Sequence, residues 1–125
     1  MIVKTCLLIS DDPDDHVEFS EALYEISDEI VVVTVLDFRK AIDLLITKKC
    51  VPEFVVLNLG MSDFASDNFF AVLREDPSLK SVKLIAYGDG ADLKHDDSAR
   101  INRFIDDGLP FSELKKELRA LLATH

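Results

Sequence analysis

Apolar positions fall along the chain in two alternating rhythms, short runs of β-rich residues and longer stretches with helical spacing. Residues 2–9 are a nearly continuous apolar run with β-branched members, the pattern of a strand buried on both faces. Ser10-Asp11-Asp12-Pro13-Asp14-Asp15 then reads as a helix start. Asp12 can cap, Pro13 fits the first helical position, and Asp14 and Asp15 suit the positive end of the dipole. Phe19, Ala22, Leu23 and Ile26 give that helix its buried stripe. A Val-rich strand is predicted over 30–36. A helix capped by Asp37 follows, with Phe38, Ala41, Ile42 and Leu45 facing inward.

After Pro52 the run 54–59 reads as a third buried strand, followed by a loop over 60–65. A helix from about Ser66 presents Phe69, Val72 and Leu73 and stops at Asp76-Pro77. Residues 82–87 predict a fourth strand and Gly88-Asp89-Gly90 a turn. The stretch 91–100 is mostly charged, with Leu93 almost its only large apolar residue, so any helix there is short or loosely docked. A fifth strand is predicted over 101–106. A last helix starts near Ser112, with Phe111, Leu114, Leu118, Leu121 and Leu122 on its inner face.

Strands alternating with helices imply an α/β fold, a parallel sheet with right-handed crossovers and helices on both faces. In such sheets the working site lies beyond the carboxyl ends of the strands. The residues delivered there are Ser10, Asp11 and Asp12 after the first strand, Asn58 on the third, Gly88 after the fourth, and Asp106 and Asp107 after the fifth. This rim is expected to be acidic and to lack histidine, cysteine and lysine. His16, His95 and His125 are scattered and read as surface residues. Among the aromatics, Phe69 and Phe104 read as core, whereas Phe70 and Tyr87 are the ones to watch for exposure on a protein-binding face.

The 125 residues suit one domain over 1–125, and 48% apolar with 30% charged residues is globular composition. A net charge of −10 repels phosphate backbones and anionic lipid, which argues against nucleic acid and membrane as partners. No apolar run reaches the roughly 18 residues that span a bilayer, and the first residues lack the pattern of a signal peptide. A cytoplasmic location is expected, with Cys6 and Cys50 as reduced thiols.

Four segments carry a family resemblance. Residues 7–15 (LLISDDPDD), 52–61, 79–87 and 109–114 resemble, in order and spacing, the opening, phosphorylation strand, fourth-strand approach and last-helix entry of response-regulator receiver domains. The resemblance implies a flavodoxin-like fold with strand order 2-1-3-4-5. It also implies a signalling role in two-component phosphorelays rather than an enzyme's. Receivers accept a phosphoryl group on an aspartate, which takes a carboxylate nucleophile, carboxylates on Mg²⁺, a hydroxyl and a lysine.

By that resemblance the acceptor position holds Asn58, a neutral amide. The first acidic position holds Ser10, while Asp11 keeps the second. The hydroxyl position is Gly88. The lysine position falls on Asp107, or on Leu109 if two residues are inserted. The aromatic switch position is Phe104. Phosphorylation on aspartate is therefore not expected, and the domain is expected to act by phosphorylation-independent contact with a histidine kinase or other signalling protein. A homodimer is left open, although the charged 91–100 stretch departs from the usual receiver dimer face.

No cofactor is expected. Asp11 and Asp12, with Asp106 or Asp107 and the Asn58 carbonyl oxygen, could hold Mg²⁺ at most weakly, and the plainer role of Asp12 is to cap the helix. Two alternatives remain: a phosphoacceptor at a non-standard residue such as Asp11, Asp12 or Ser10, and a flavodoxin-like cofactor carrier. The second fits poorly, because the loop after the first strand offers carboxylates where an FMN phosphate wants N–H donors.

Overall fold

A computed structural model describes residues 4–61, 69–88, 95–105 and 110–122. Five strands, β1 (Lys4–Ile9), β2 (Ile30–Val35), β3 (Phe54–Asn58), β4 (Lys83–Tyr87) and β5 (Arg103–Ile105), form one parallel sheet in the order 2-1-3-4-5. The helices α1 (Pro13–Ile26), α2 (Phe38–Ile46), α3 (Phe69–Glu75), α4 (His95–Arg100) and α5 (Phe111–Leu122) alternate with them. This is the α/β architecture predicted from the alternating pattern.

The central strands are buried on both faces because each side chain meets a helix layer whichever way it points. Leu7, Ile9, Val55, Leu57, Leu84 and Ala86 pack on one face against Phe38, Ala41 and Leu45 of α2 and Phe69 and Leu73 of α3. Cys6, Leu8, Val56, Ile85 and Tyr87 pack on the other against Phe19, Ala22 and Leu23 of α1 and Leu114 and Leu118 of α5. Truncating a fully buried member such as Leu57 to alanine costs about 2–5 kcal/mol, the transfer energy plus the cavity left behind.

Several boundaries are tighter than predicted. Leu36 leaves β2 and stands exposed, and β5 spans three residues rather than six. Phe70 and Tyr87 are buried and Phe104 is half-exposed, the reverse of the expected distribution. Phe70 packs edge-on to Phe69, which packs likewise on Phe38, so α3 commits both adjacent rings to the core. Phe104 lies on the edge strand and alternates with Ile105, which takes the inward position facing α1 and α5.

The short α4 is tied down by polar bonds rather than by an apolar stripe. Arg100 donates to the carbonyls of Leu79 (3.2 Å) and Val82 (2.7 Å), and Arg74 pairs with Asp97 at 2.7 Å. The predicted positions Ser66, Leu93, Asp106, Asp107 and Leu109 lie outside the described residues, as do the side chains of His95, Phe111, Leu121, Leu122 and His125.

Candidate functional site

Strand register brings the site together. Ile9 lies opposite Leu57, so Ser10 and Asn58 leave the sheet side by side. Asn58 in turn lies opposite Tyr87, with Gly88 next in the chain. The predicted residues Ser10, Asn58 and Gly88 therefore do converge at the carboxyl ends of β1, β3 and β4. Phe104 is on the next strand, opposite Ala86.

Ser10 is fully buried, and its hydroxyl is used to capacity. It donates to Asp15 Oδ2 (2.8 Å) and accepts from the Asp12 amide (3.2 Å) and Asn58 Nδ2 (3.3 Å). Because the hydroxyl hydrogen goes to a carboxylate, Asn58 must present its NH₂ to Ser10, and this orients the amide. Its other end, Oδ1, accepts from the Gly60 N–H at 2.8 Å. Asp15 also accepts from the Tyr87 hydroxyl at 2.6 Å, while the Tyr87 ring lies 4.9 Å from that of Phe19. His16 Nε2 donates to the Ser10 carbonyl at 2.7 Å, since a carbonyl oxygen can only accept. Among the described residues, no buried side-chain polar atom lacks a partner.

The main chain closes the same corner. The Leu59 amide donates to the Tyr87 carbonyl at 2.8 Å, drawing the turn after β3 against the end of β4. Gly88 has φ +92°, a conformation that favours glycine. A Cβ there would stand 2.9 Å from Asn58 Oδ1 and 3.1 Å from the Gly60 nitrogen.

Of the aspartates predicted as metal ligands, Asp12 joins this network only through its backbone, and its carboxylate and that of Asp11 lie outside it. Asp11 and Asp12 are both exposed. Asp12 does cap α1, accepting from the Asp14 amide at 2.9 Å. No cluster of three or more His, Cys, Asp or Glu side chains is placed to hold a metal among the described residues.

Three members of the network were not foreseen. The sequence pattern accounts for Asp15 by the helix dipole, reads His16 as a surface residue and marks Tyr87 only as an aromatic to watch for exposure. His16 is half-buried, which corrects the expectation of a rim without histidine. A signal for Asp15 is present in the sequence. It is the third residue after the cap, where an acidic side chain folds back over the helix start. Here it reaches past Asp12 to Ser10. Tyr87 carried no such signal, because its partner is 72 residues away.

No family profile matches the sequence, and no curated protein does. Solved structures match closely in shape. A response regulator in red light signalling of R. palustris superposes with a TM-score of 0.79 at 17% identity, over 98% of this chain and 94% of that one. The phosphorylated cyanobacterial phytochrome response regulator RcpA gives 0.73 at 22% identity, over 95% and 91%. A chemotaxis response regulator of Vibrio cholerae gives 0.74 at 16%, over 95% and 98%. From end to end, the chain has the fold of response-regulator receiver domains.

Proposed function

We propose that this chain is an atypical receiver in two-component signalling, which acts through protein contacts without taking a phosphoryl group and without catalysing a reaction. The observation that carries the reading is the Asn58 amide at the acceptor position, with its NH₂ committed to Ser10 and its oxygen to Gly60. An amide nitrogen or oxygen so engaged offers no carboxylate nucleophile. Gly88 supplies no hydroxyl to a phosphoryl oxygen. Ser10 is a poor substitute acceptor, being fully buried with its proton given to Asp15.

Among the described residues, the donor set does not fit a resident Mg²⁺ either. That ion demands near-octahedral oxygen coordination. Here the Ser10 oxygen faces Asp15 and the Asn58 oxygen faces Gly60, leaving exposed Asp11 and Asp12 to support weak occupancy at most. A histidine kinase or another signalling protein is the partner that the receiver fold and the four receiver-like segments favour. The strongly negative charge favours a protein surface over nucleic acid or membrane.

The test is a spectrum of isotope-labelled protein titrated with Mg²⁺ and beryllofluoride, a mimic of a phosphoryl group on a receiver aspartate. The amide signals of residues 58–60 and 87–88 should stay in place. Saturable shifts at those amides would overturn the reading.

A further inference from the structure

We infer that Asn58 and Gly88 form an interlocked pair: the Asn58 carboxamide holds the space that any side chain on residue 88 requires. The two positions therefore cannot be changed independently. The inference deepens the reading of the site given above and rests on it for its functional meaning, though not for its test.

Three observations carry it. The Asn58 oxygen is fixed from two directions, because Ser10 sets which end of the amide faces the sheet and Gly60 N–H takes the oxygen. The space it fills adjoins residue 88, where an added Cβ would lie 2.9 Å away, closer than real Cβ contacts allow. Retreat of either wall breaks a bond: the Asn58 oxygen would leave the Gly60 N–H, and the 59–60 turn is held to β4 by Leu59 N–H to the Tyr87 carbonyl. A hydroxyl-bearing residue at 88 and the present Asn58 arrangement therefore exclude one another. For the proposed function, this means that the glycine at 88 goes with the position of the side-chain oxygen at 58, which an aspartate there would also supply. Restoring an aspartate at 58 alone would leave residue 88 in a backbone conformation suited to glycine.

The test is a double-mutant cycle of Asn58→Ala and Gly88→Ala by urea unfolding, on the full chain. If the pair is interlocked, Gly88→Ala lowers the folding equilibrium constant about tenfold more in the wild-type background than beside Asn58→Ala, the size of coupling seen for residues in contact. Some loss remains in both backgrounds, from the positive φ and from the Gly60 nitrogen. Gly88→Asn, which tolerates positive φ better than alanine, separates that strain from the contact and should also be rescued by Asn58→Ala. If Gly88→Ala alone does not fold and the double variant does, the coupling is demonstrated directly. Additive losses, or failure of both to fold, overturn the inference. Because the cycle reads stability, a wild-type protein that accepted phosphoryl groups would sink the functional reading while leaving this result standing.

Discussion

The Tyr87 hydroxyl donates to Asp15 Oδ2 at 2.6 Å, joining the carboxyl end of β4 to the first turn of α1 across 72 residues of chain. The same carboxylate oxygen takes the Ser10 hydroxyl, so one acidic side chain collects the ends of two strands. Hydrogen bonds to a charged group contribute more than neutral ones, about 1.5–3 kcal/mol each. Tyr87→Phe keeps the ring against Phe19 and removes only the donor. It should destabilise the domain by about 1–3 kcal/mol in urea unfolding. No change in midpoint would mean that the bond adds nothing over solvation of Asp15.

Asn58→Asp should cost stability at neutral pH. The new carboxylate loses the NH₂ that Ser10 accepts from and sets a second negative charge near Asp15, with the Ser10 hydrogen already committed. A loss of about 1–3 kcal/mol follows from the broken bond and the unpaired oxygen. Chemical denaturation of this single variant beside the wild type measures it, and an unchanged or raised stability would contradict the network described here.

Acid stability should depend on Asp76. The Lys48 ammonium, followed by the Ser78 hydroxyl and amide, draws its pKa from 3.8 down to about 2. A carboxylate whose folded pKa is depressed contributes stability that is present above its unfolded pKa and lost as pH falls through the folded one. The contribution should therefore disappear between about pH 4 and pH 2. Asp76→Asn should flatten the unfolding curve across that window, and added salt should shrink the difference because the pair is at the surface. Identical acid limbs for the two proteins would exclude the Lys48 pairing.

Arg100 anchors α4 by donating to the Leu79 and Val82 carbonyls, and partial burial lowers its pKa. Arg100→Met keeps the aliphatic stem and removes both carbonyl bonds, which Nη2 makes, and the 3.5 Å bond from Nη1 to Asn102. The expected loss is about 1–3 kcal/mol. Faster hydrogen exchange at amides of 95–100, ahead of those of β4, would locate the damage at the helix. Uniform acceleration across the sheet would place the role of Arg100 elsewhere.

The thiols should be silent in the folded protein. Burial pushes the Cys6 thiol well above its ordinary range and raises Cys50 as well, so little thiolate is present near neutral pH. An aromatic disulfide reagent should label neither cysteine quickly under native conditions and both in denaturant. Rapid labelling of Cys6 in native buffer would contradict its burial between β1 and α1.

The strands and helices were legible because their periods are distinct. β1 and β3 carry short apolar runs with the β-branched content of a doubly covered strand, and the Asp12-Pro13 and Asp37 starts cap α1 and α2 as expected. That Ser10, Asn58 and Gly88 meet was legible because parallel register aligns strand ends. Asp15, His16 and Tyr87 were hidden for a different reason. Each is explained locally by something ordinary, a helix start or an apolar strand, and only the three-dimensional meeting of α1 with β4 reveals the second role. Aromatic content within a strand predicts burial of Phe104, but a three-residue edge strand covers only one of its faces and leaves that ring half-exposed.

The central claim is that a site closed on its own hydrogen bonds accepts no phosphoryl group. Its most direct test is the intact mass of the wild-type protein after incubation with Mg²⁺ and acetyl phosphate. An unchanged mass is expected, and a phosphoryl adduct on the wild-type chain at any residue would show that the closed site does not prevent phosphorylation.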